Sequence, residues 1–226
     1  MGSVLMGSIA MLVAVPLGLG TAVYLSEFAP TRVRKILKPI VEVLAGIPSV
    51  IVGYFALKFI APNIVDPIFS PDQSRNMVVA GLAIGVLVIP IMASISEDAL
   101  RAVPSSLREA SYGIGARKST TTIRIVLPAA VSGIVAAFII ATSRAIGETM
   151  IVVMATGNTA VMETNPFSGM RTLSANIAVE LPEAAAGHTH YRALFLGACC
   201  LFLLTFVINT LAEILRQRLR ERYKVV

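Results

Sequence analysis

The sequence predicts an all-α, polytopic membrane protein, and three observations lead to this fold class. The chain of 226 residues is 56% hydrophobic and 14% charged, with a mean hydropathy of +0.80. A soluble domain of this size does not carry so much apolar surface. The apolar residues form five segments of about 20 residues, the length that crosses roughly 30 Å of hydrocarbon. The basic residues are grouped between these segments. We therefore predict a single transmembrane helix-bundle domain over 1–226.

The five predicted spans cover 4–25, 41–61, 77–95, 129–155 and 193–212. The first has no basic segment before it and is longer than a signal-peptide core, so we interpret it as a span. Three segments hold most of the basic residues: Arg32, Arg34, Lys35 and Lys38; Arg101, Arg108, Arg117, Lys118 and Arg124; Arg216, Arg218, Arg220, Arg222 and Lys224. The positive-inside rule makes these segments and the C-terminus cytoplasmic and the N-terminus external. An external N-terminus on an uncharged first span favours a missing helix before it.

The excess of basic over acidic residues does not indicate nucleic-acid binding. The net charge is +6 and the pI is about 9.7, but the basic residues flank the apolar segments, where topology and anionic lipid account for them. Cys199 and Cys200 are adjacent in the last span and are interpreted as small packing residues, so they carry no information about redox compartment.

Three candidate chemical motifs lack residues that their chemistry requires. Segment 113–119 reads GIGARKS, but a phosphate-binding loop needs glycine where Arg117 stands, so neither ATP nor another cofactor is expected in this chain. His188 and His190 have no third ligand nearby, and we predict no metal site. No serine, cysteine or carboxylate pair has the partners that hydrolysis requires, so we predict no catalytic residue and no enzyme.

Charges inside the predicted spans are few. Arg144 and Glu148 are spaced i, i+4 in the fourth span, which predicts one helical face and an ion pair at mid-depth or in the outer half. Intramembrane charges of this kind face a bundle interior or an aqueous path. The alternative is an ion pair that only fixes helix packing. Glu42 and Lys58 lie near the ends of the second span and are interpreted as snorkelling side chains.

The basic segment 97–128 carries a spaced set of residues: Glu109, Ala110, Ser111, Gly115, Ile125, Leu127 and Pro128. Ser106 with Glu109 fits a capping box, and a glycine can end the helix that follows, which predicts two short helices and a turn before Pro128. The set resembles the EAA loop of bacterial ABC importer permeases, with Ser111 in place of an alanine, which exchanges one small residue for another. The resemblance implies a cytoplasmic coupling loop that docks on a separate ATPase.

A second resemblance is narrower. The segments SRAIGETM at 143–150 and AGIPSVI at 45–51 are similar to the phosphate-specific (Pst) permeases, more to the C-type than to the A-type subunit. The resemblance implies phosphate import across the bacterial cytoplasmic membrane. It also implies a permease heterodimer, a dimeric cytoplasmic ATPase that binds ATP and Mg, and an extracytoplasmic phosphate-binding protein.

The same resemblance assigns the substrate pathway to Arg144 and Glu148, with Ser143 and Thr149 beside them. An arginine fork suits phosphate oxygens, and a nearby carboxylate keeps anion binding weak enough for release. Gly46 and Pro48 predict a helix break, which a membrane tolerates only where the break is buried or lines a cavity.

The segment 156–192 has no spanning run, and its apolar periodicity predicts a short helix over 172–181. We interpret it as an external gate or a docking surface. Three alternatives stay open: a permease for another oxyanion such as sulfate or molybdate, a secondary transporter coupled to an ion gradient, and a scaffold or sensor subunit.

Overall fold

The computed structural model describes residues 2–159 and 165–222. In these ranges the secondary structure is helical, and the one β feature is an isolated bridge between Gly157 and Met170. The α-helices are α1 (Gly2–Val23), α2 (Thr31–Ala45), α3 (Ser49–Phe55), α4 (Asp66–Phe69), α5 (Met77–Arg101), α6 (Ser105–Gly113), α7 (Lys118–Thr121), α8 (Leu127–Ala129), α9 (Val131–Ile146), α10 (Met150–Ala155), α11 (Leu173–Glu180) and α12 (Thr189–Arg222). Wider π-helical turns continue α1 and join α3 to α4 and α7 to α8: Tyr24–Phe28, Ala56–Val65 and Thr122–Val126.

Four helical runs are long and apolar enough to cross a bilayer: Gly2–Phe28, Ser49–Phe69, Met77–Arg101 and Thr189–Leu211. Lys118–Ala129 and Val131–Ile146, which are bent by 69° relative to each other, make a fifth candidate crossing when they are counted as one broken span. The predicted all-α, polytopic architecture is therefore confirmed.

The predicted limits of the second span are wrong. The window 41–61 includes the break at residues 46–48, where α2 has ended and α3 has not begun. The apolar run starts at Ser49 and continues to Phe69. Lys58 therefore lies near the middle of this run and not near its end. The break predicted from Gly46 and Pro48 is present, but it separates two helices and does not interrupt one span.

The fourth predicted span, 129–155, is also wrong as one continuous helix. Its first part turns sharply at Ala130, and α9 ends at Ile146, before α10 begins at Met150. Residues 147–149 form a second break. The predicted segment therefore contains a bend, a helix of 16 residues, a break and a shorter helix.

The core lies between α1 and α5, which run side by side in the same direction. Glycines on α5 allow the close approach: a Cβ on Gly85 would lie 2.9 Å from the Cβ of Val13, and one on Gly18 of α1 would lie 2.8 Å from Met92. Small residues favour such packing because lipid supplies no hydrophobic force between helices. α5 is mostly buried, whereas α12 is almost entirely exposed and α2 buries no residue. α12 and α2 are therefore peripheral in this chain.

Candidate functional site

Arg144 lies at mid-depth in the helical bundle. Gly133, at the start of α9, packs on Ala99 near the C-terminal end of α5. We call this end of the bundle, where the loop between α5 and α9 begins and ends, the loop end. At 1.5 Å per residue, Arg144 is roughly 16 Å further along α9. Ile146 contacts Gly7, near the opposite end of α1. These contacts place Arg144 between the two ends of the bundle, whereas its depth in a membrane, mid-depth or the outer half, stays a prediction. The bend at Ala130 means that depth is counted from α9 and not from Pro128.

The charge pair forms, but its two members do not share a helix. The Nη2 atom of Arg144 lies 3.7 Å from Oε2 of Glu148. α9 ends at Ile146 with Gly147 as its C-cap, so Glu148 lies in the break. The Glu148 carbonyl accepts a hydrogen bond of 3.3 Å from Ser174 on α11. The prediction of one continuous helical face is wrong, because Arg144 is carried by α9 and Glu148 is held by α11.

The two charges differ strongly in exposure. The Arg144 side chain is 50% exposed, whereas the Glu148 side chain is 4% exposed. The contact between them is long and leaves most of the guanidinium donors available. Thr149 donates to the Gly147 carbonyl at 3.2 Å and stays part-exposed in the break. An oxyanion approaching the open side would meet the arginine fork, while the carboxylate behind it lowers the local positive potential.

Asn209 is a polar residue of this region that the sequence predictions missed. It lies on α12, and its Oδ1 accepts a hydrogen bond from the hydroxyl of Ser143. This bond joins α12 to α9 at the level of the charge pair. The sequence signal was available, because Asn209 is an amide within a long apolar segment.

The loop predicted over 97–128 folds as two short helices and a turn, and its first residues form the end of α5. The predicted capping box is wrong: Pro104 is the N-cap of α6, and no side chain caps this helix end. Ser106 and Glu109 both lie within α6, because the Pro104 cap starts the helix two residues earlier than a Ser106 cap would. Glu109 and Ala110 are exposed, and Glu109 has no ion-pair partner within the described residues. Glu109 is therefore accessible to a partner protein.

Ser111 joins the two short helices of the loop. Its side chain is buried, and its hydroxyl lies 2.9 Å from the hydroxyl of Thr121, which is also buried. Gly115 makes the turn between them with φ of +82°, a left-handed conformation that favours glycine. The substitution of a serine for a small apolar residue therefore introduces a hydrogen bond inside the loop.

The last residues of the predicted set lie where the loop meets the membrane helix. Ile125 and Pro128 line a groove of 560 Å³ between the loop, α5 and α9, and Leu127 packs beside the small core cluster at the loop end. The second short helix was predicted to end before Pro128, but helical structure continues past Pro128 to Ala129 as α8. Pro128 lies in the first turn of α8, where proline is tolerated.

Arg108 anchors α6 to the bundle and was not singled out from the sequence. Its Nη2 pairs with Glu27 at 3.0 Å and also donates to the Leu100 carbonyl at 2.8 Å. Its Nη1 donates to the Val103 carbonyl at 2.6 Å. Glu27 is nearly buried. The loop is thus tied to the ends of both α1 and α5.

A cluster of charges joins α2 to the end of α5. Glu97 is 1% exposed, pairs with Arg34, lies 2.8 Å from Nζ of Lys38 and lies 3.9 Å from Nη1 of Arg101. Lys38 also contacts Asp98 at 2.9 Å. Hydrogen bonds to Glu97 first and to Asp98 second raise the pKa of Lys38 above its usual 10.5. Because α2 buries no residue, this cluster supplies its main polar attachment to the bundle.

The predicted helix over 172–181 is confirmed as α11, which spans Leu173–Glu180. The Thr172 hydroxyl caps it by accepting from the Ala175 backbone N at 3.2 Å. The predicted outer segment 156–192 includes 160–164, which lie outside the described residues. Within the described part, Asn165 precedes a turn that leads toward α11.

Arg171 organises the ordered part of this segment. It pairs with Glu180 and donates to the Asn158 carbonyl at 2.8 Å and to Asn176 Oδ1 at 3.0 Å. Nε2 of His190 lies 3.3 Å from Oε2 of Glu180. Among the described histidine, cysteine and acidic residues, no three are grouped as a metal site.

Comparisons with known proteins give one consistent family. Residues 14–221 match the model of the binding-protein-dependent transport system inner membrane component. The phosphate transport system permease protein PstC of Mesorhizobium japonicum is 34% identical, over 98% of this chain and 73% of the relative. The probable ABC transporter permease protein YqgH of Bacillus subtilis is 33% identical, over 96% of this chain and 70% of the relative.

Solved structures agree on the fold. An inward facing MetNI methionine ABC transporter matches with a TM-score of 0.69 at 20% identity, over 96% of this chain and 91% of that chain. A bacterial ABC transporter involved in the import of the acidic polysaccharide alginate matches with a TM-score of 0.70 at 15% identity, over 96% of this chain and 77% of that chain. Together with the apolar helices, the family match identifies a multi-pass inner membrane protein. The chain belongs to the family of binding-protein-dependent transport system inner membrane components.

Proposed function

We propose that this chain is one permease subunit of an ATP-driven importer that moves inorganic phosphate across the cytoplasmic membrane. The observation that carries the proposal is a half-exposed arginine at mid-depth, beside a carboxylate that is almost fully buried. A lipid-facing arginine costs at least about 3 kcal/mol, so Arg144 faces water or protein in the working assembly. The similarity to the phosphate transport system permease protein PstC adds the substrate class.

The chemistry of the pair favours phosphate over sulfate. Near neutral pH phosphate carries a P–OH group, whereas sulfate carries no proton. The Glu148 carboxylate can accept this hydrogen bond, while the Arg144 fork donates to the unprotonated oxygens. A site that is built to accept a hydrogen bond discriminates against an analogue that lacks the donor. Sulfate would place an oxygen against the carboxylate and should bind poorly.

The proposed assembly needs three kinds of partner. A second permease subunit would cover the exposed side of Arg144 and complete the pathway. A dimeric ATPase in the cytoplasm would bind ATP and Mg and dock on α6, where Glu109 and Ala110 are accessible. A phosphate-binding protein outside the membrane would deliver substrate near α11. In this arrangement the C-terminus is cytoplasmic, as the basic residues after the last span indicate.

The experiment measures assembled complex and uptake of radiolabelled phosphate for Arg144→Ala, Arg144→Lys and Glu148→Gln. Loss of charge-assisted hydrogen bonds predicts a fall of roughly 100-fold for Arg144→Ala without loss of assembly. Arg144→Lys should recover part of the uptake, because a point charge lacks the planar fork. Glu148→Gln should slow turnover and weaken discrimination against sulfate in competition assays. Arg75→Ala, at an exposed arginine outside the spans, is the control and should transport normally.

A double variant separates transport from packing. If the pair only fixes the helices, Arg144→Ala should remove assembled complex because it strands Glu148, and neutralising both residues should restore assembly and uptake. Near-normal phosphate uptake in the double neutral variant would refute the proposed pathway role. Strong inhibition of wild-type uptake by equimolar sulfate would instead point to another oxyanion as substrate.

A further inference from the structure

Asn209 differs from the other polar residues on the membrane-spanning part of α12. Thr205 donates to the Leu201 carbonyl at 2.9 Å, and Thr210 donates to the Phe206 carbonyl at 2.8 Å, so both hydroxyls are satisfied within the helix and are compatible with lipid. The side chain of Asn209 bonds to another helix, through Oδ1. Within the described residues its amide nitrogen has no hydrogen-bond partner.

The position of Asn209 makes these free donors costly. Its bond to Ser143 places it one residue along α9 from Arg144, within the apolar run that ends at Leu211, and its side chain is exposed in this chain. An amide without partners costs about 2 kcal/mol or more in an apolar medium. The Nδ2 group therefore faces water, an anion or another protein in the assembled transporter.

The hydrogen bond from Ser143 fixes which end of the amide is free. A planar amide has its acceptor on one side and its two N–H donors on the other. The Ser143 hydroxyl occupies Oδ1 and leaves the two donors free of this bond, and Asn209 lines a groove of 430 Å³ on the surface of α12. Glu213 lies one helical turn further in this groove, and Gln217 donates to it at 3.1 Å. The amide of Asn209 thus lies one residue along α9 from Arg144, with the Glu213 carboxylate one turn further along α12.

We propose that Asn209 Nδ2 is a second contact for the transported oxyanion, next to Arg144 on the pathway. The inference rests on the proposed function, because it assigns the oxyanion to the path that passes Arg144. Neutral N–H groups bind oxyanion oxygens without adding charge, so they hold the anion while allowing release. Ser143 then acts as a positioning residue that orients the amide and does not itself contact the anion.

The test uses Asn209→Asp and Asn209→Ala in the complete transporter with its ATPase, second permease and binding protein. Asn209→Asp keeps an oxygen for Ser143 but replaces the donors by a group that repels anions. Asn209→Ala removes the donors without introducing a charge. Both should lower phosphate uptake by roughly 10- to 100-fold at normal assembly, as expected for losing a donor to a charged ligand. Ser143→Ala should have a smaller effect, and Thr205→Val, on the same face of α12, should transport normally.

The outcomes separate this inference from the proposed function. Wild-type phosphate uptake and its loss in Arg144→Ala test the pathway, whatever Asn209 does. If those hold and Asn209→Asp and Asn209→Ala transport within twofold of wild type, the contact assigned to Asn209 is wrong. It is also wrong if Ser143→Ala is impaired more than Asn209→Asp, or if both Asn209 variants fail to assemble, because either result means that the Ser143 bond is structural.

Discussion

Glu97→Gln tests whether buried charges hold α2 to the bundle. The Glu97 carboxylate is the buried centre of the cluster with Arg34 and Lys38. Glutamine keeps the volume and one acceptor oxygen but removes the charge, so both cations then face a neutral amide. Asp98→Asn makes the same change of charge at the adjacent position, where the side chain is 64% exposed. The two substitutions differ mainly in burial.

The structure sets the expected magnitude. Breaking a fully buried ion pair from one side costs about 3–5 kcal/mol. The cations here keep some contact with solvent, since Arg34 is 20% and Lys38 is 27% exposed. Partial rehydration reduces the expected loss of unfolding free energy for Glu97→Gln to about 2–3 kcal/mol. The exposed pair of Lys38 with Asp98 should contribute at most about 1 kcal/mol.

The assay is the apparent melting temperature of the assembled complex in lipid nanodiscs, measured as the loss of the monodisperse peak after heating. At about 2–4 °C per kcal/mol for a chain of this length, Glu97→Gln should melt about 5–10 °C below wild type and Asp98→Asn within about 3 °C. If Glu97→Gln lowers the melting temperature no more than Asp98→Asn does, burial of the cluster does not stabilise the attachment of α2.

The pH dependence of the stability that this cluster contributes follows from the titration of Lys38. Its pKa is raised above 10.5 in the folded protein, mainly by the hydrogen bond from Lys38 to Glu97. A group with a raised folded-state pKa contributes its full stability below the unfolded value, and the contribution is lost as the pH rises through the folded value. The difference between wild type and Glu97→Gln should therefore stay constant from about pH 6 to about pH 9. A steep decline of this difference within that range would contradict the assignment.

Three further predictions concern topology, the loop turn and the break beside the charge pair. In a cysteine-free background, a cysteine at Ser70 should react with an impermeant thiol reagent from outside and one at Lys118 should not; labelling at Lys118 in intact cells would overturn the orientation. Gly115→Val should weaken coupling of ATP hydrolysis to uptake, because its φ of +82° strains a β-branched residue. Gly113→Val, also in open space but without a positive φ, is the matched control. Equal coupling of ATP hydrolysis to uptake in both variants would show that the conformation of the turn does not matter for coupling. Gly147→Ala should favour the helix by about 1 kcal/mol and slow phosphate turnover at normal assembly, and unchanged turnover would show that the break need not flex.

Local patterns predicted the fold class and much of the candidate site. Hydropathy located the five apolar crossings, and the spacing in 97–128 predicted the two short helices. Hydropathy averages over a window, so it assigned the end of α2 and the start of α3 to one span, and the break predicted at Gly46 and Pro48 was interpreted as lying inside that span. The bend at Ala130 lies three residues before Gly133, which packs closely against Ala99, and no local pattern reports this contact between helices.

The contacts that hold the candidate sites together connect residues far apart in the sequence. Arg34 and Glu97 are 63 positions apart, and Glu27 and Arg108 are 81 apart. A single sequence gives the charge of each residue but not its partner. The short-range pair of Arg144 with Glu148 was predictable, whereas the bond from Ser143 to Asn209 required knowing that α9 and α12 pack together.

The break at Gly147 changes what the charge pair can do. On one continuous helix, residues spaced i, i+4 keep their separation when the helix moves, so an ion pair would persist through a transport cycle. Here Arg144 belongs to α9, while Ser174 on α11 holds the backbone of Glu148.

α9 has 16 residues, which makes it roughly 24 Å long, and it begins at the bend next to the loop. A tilt of about 10° at that bend would move the far end by roughly 4 Å at this length. This displacement is comparable to the 3.7 Å contact between Arg144 and Glu148. Movement of the loop would therefore open and close the pair without unfolding a helix, and this requires α9 to end before Glu148, as it does at Ile146.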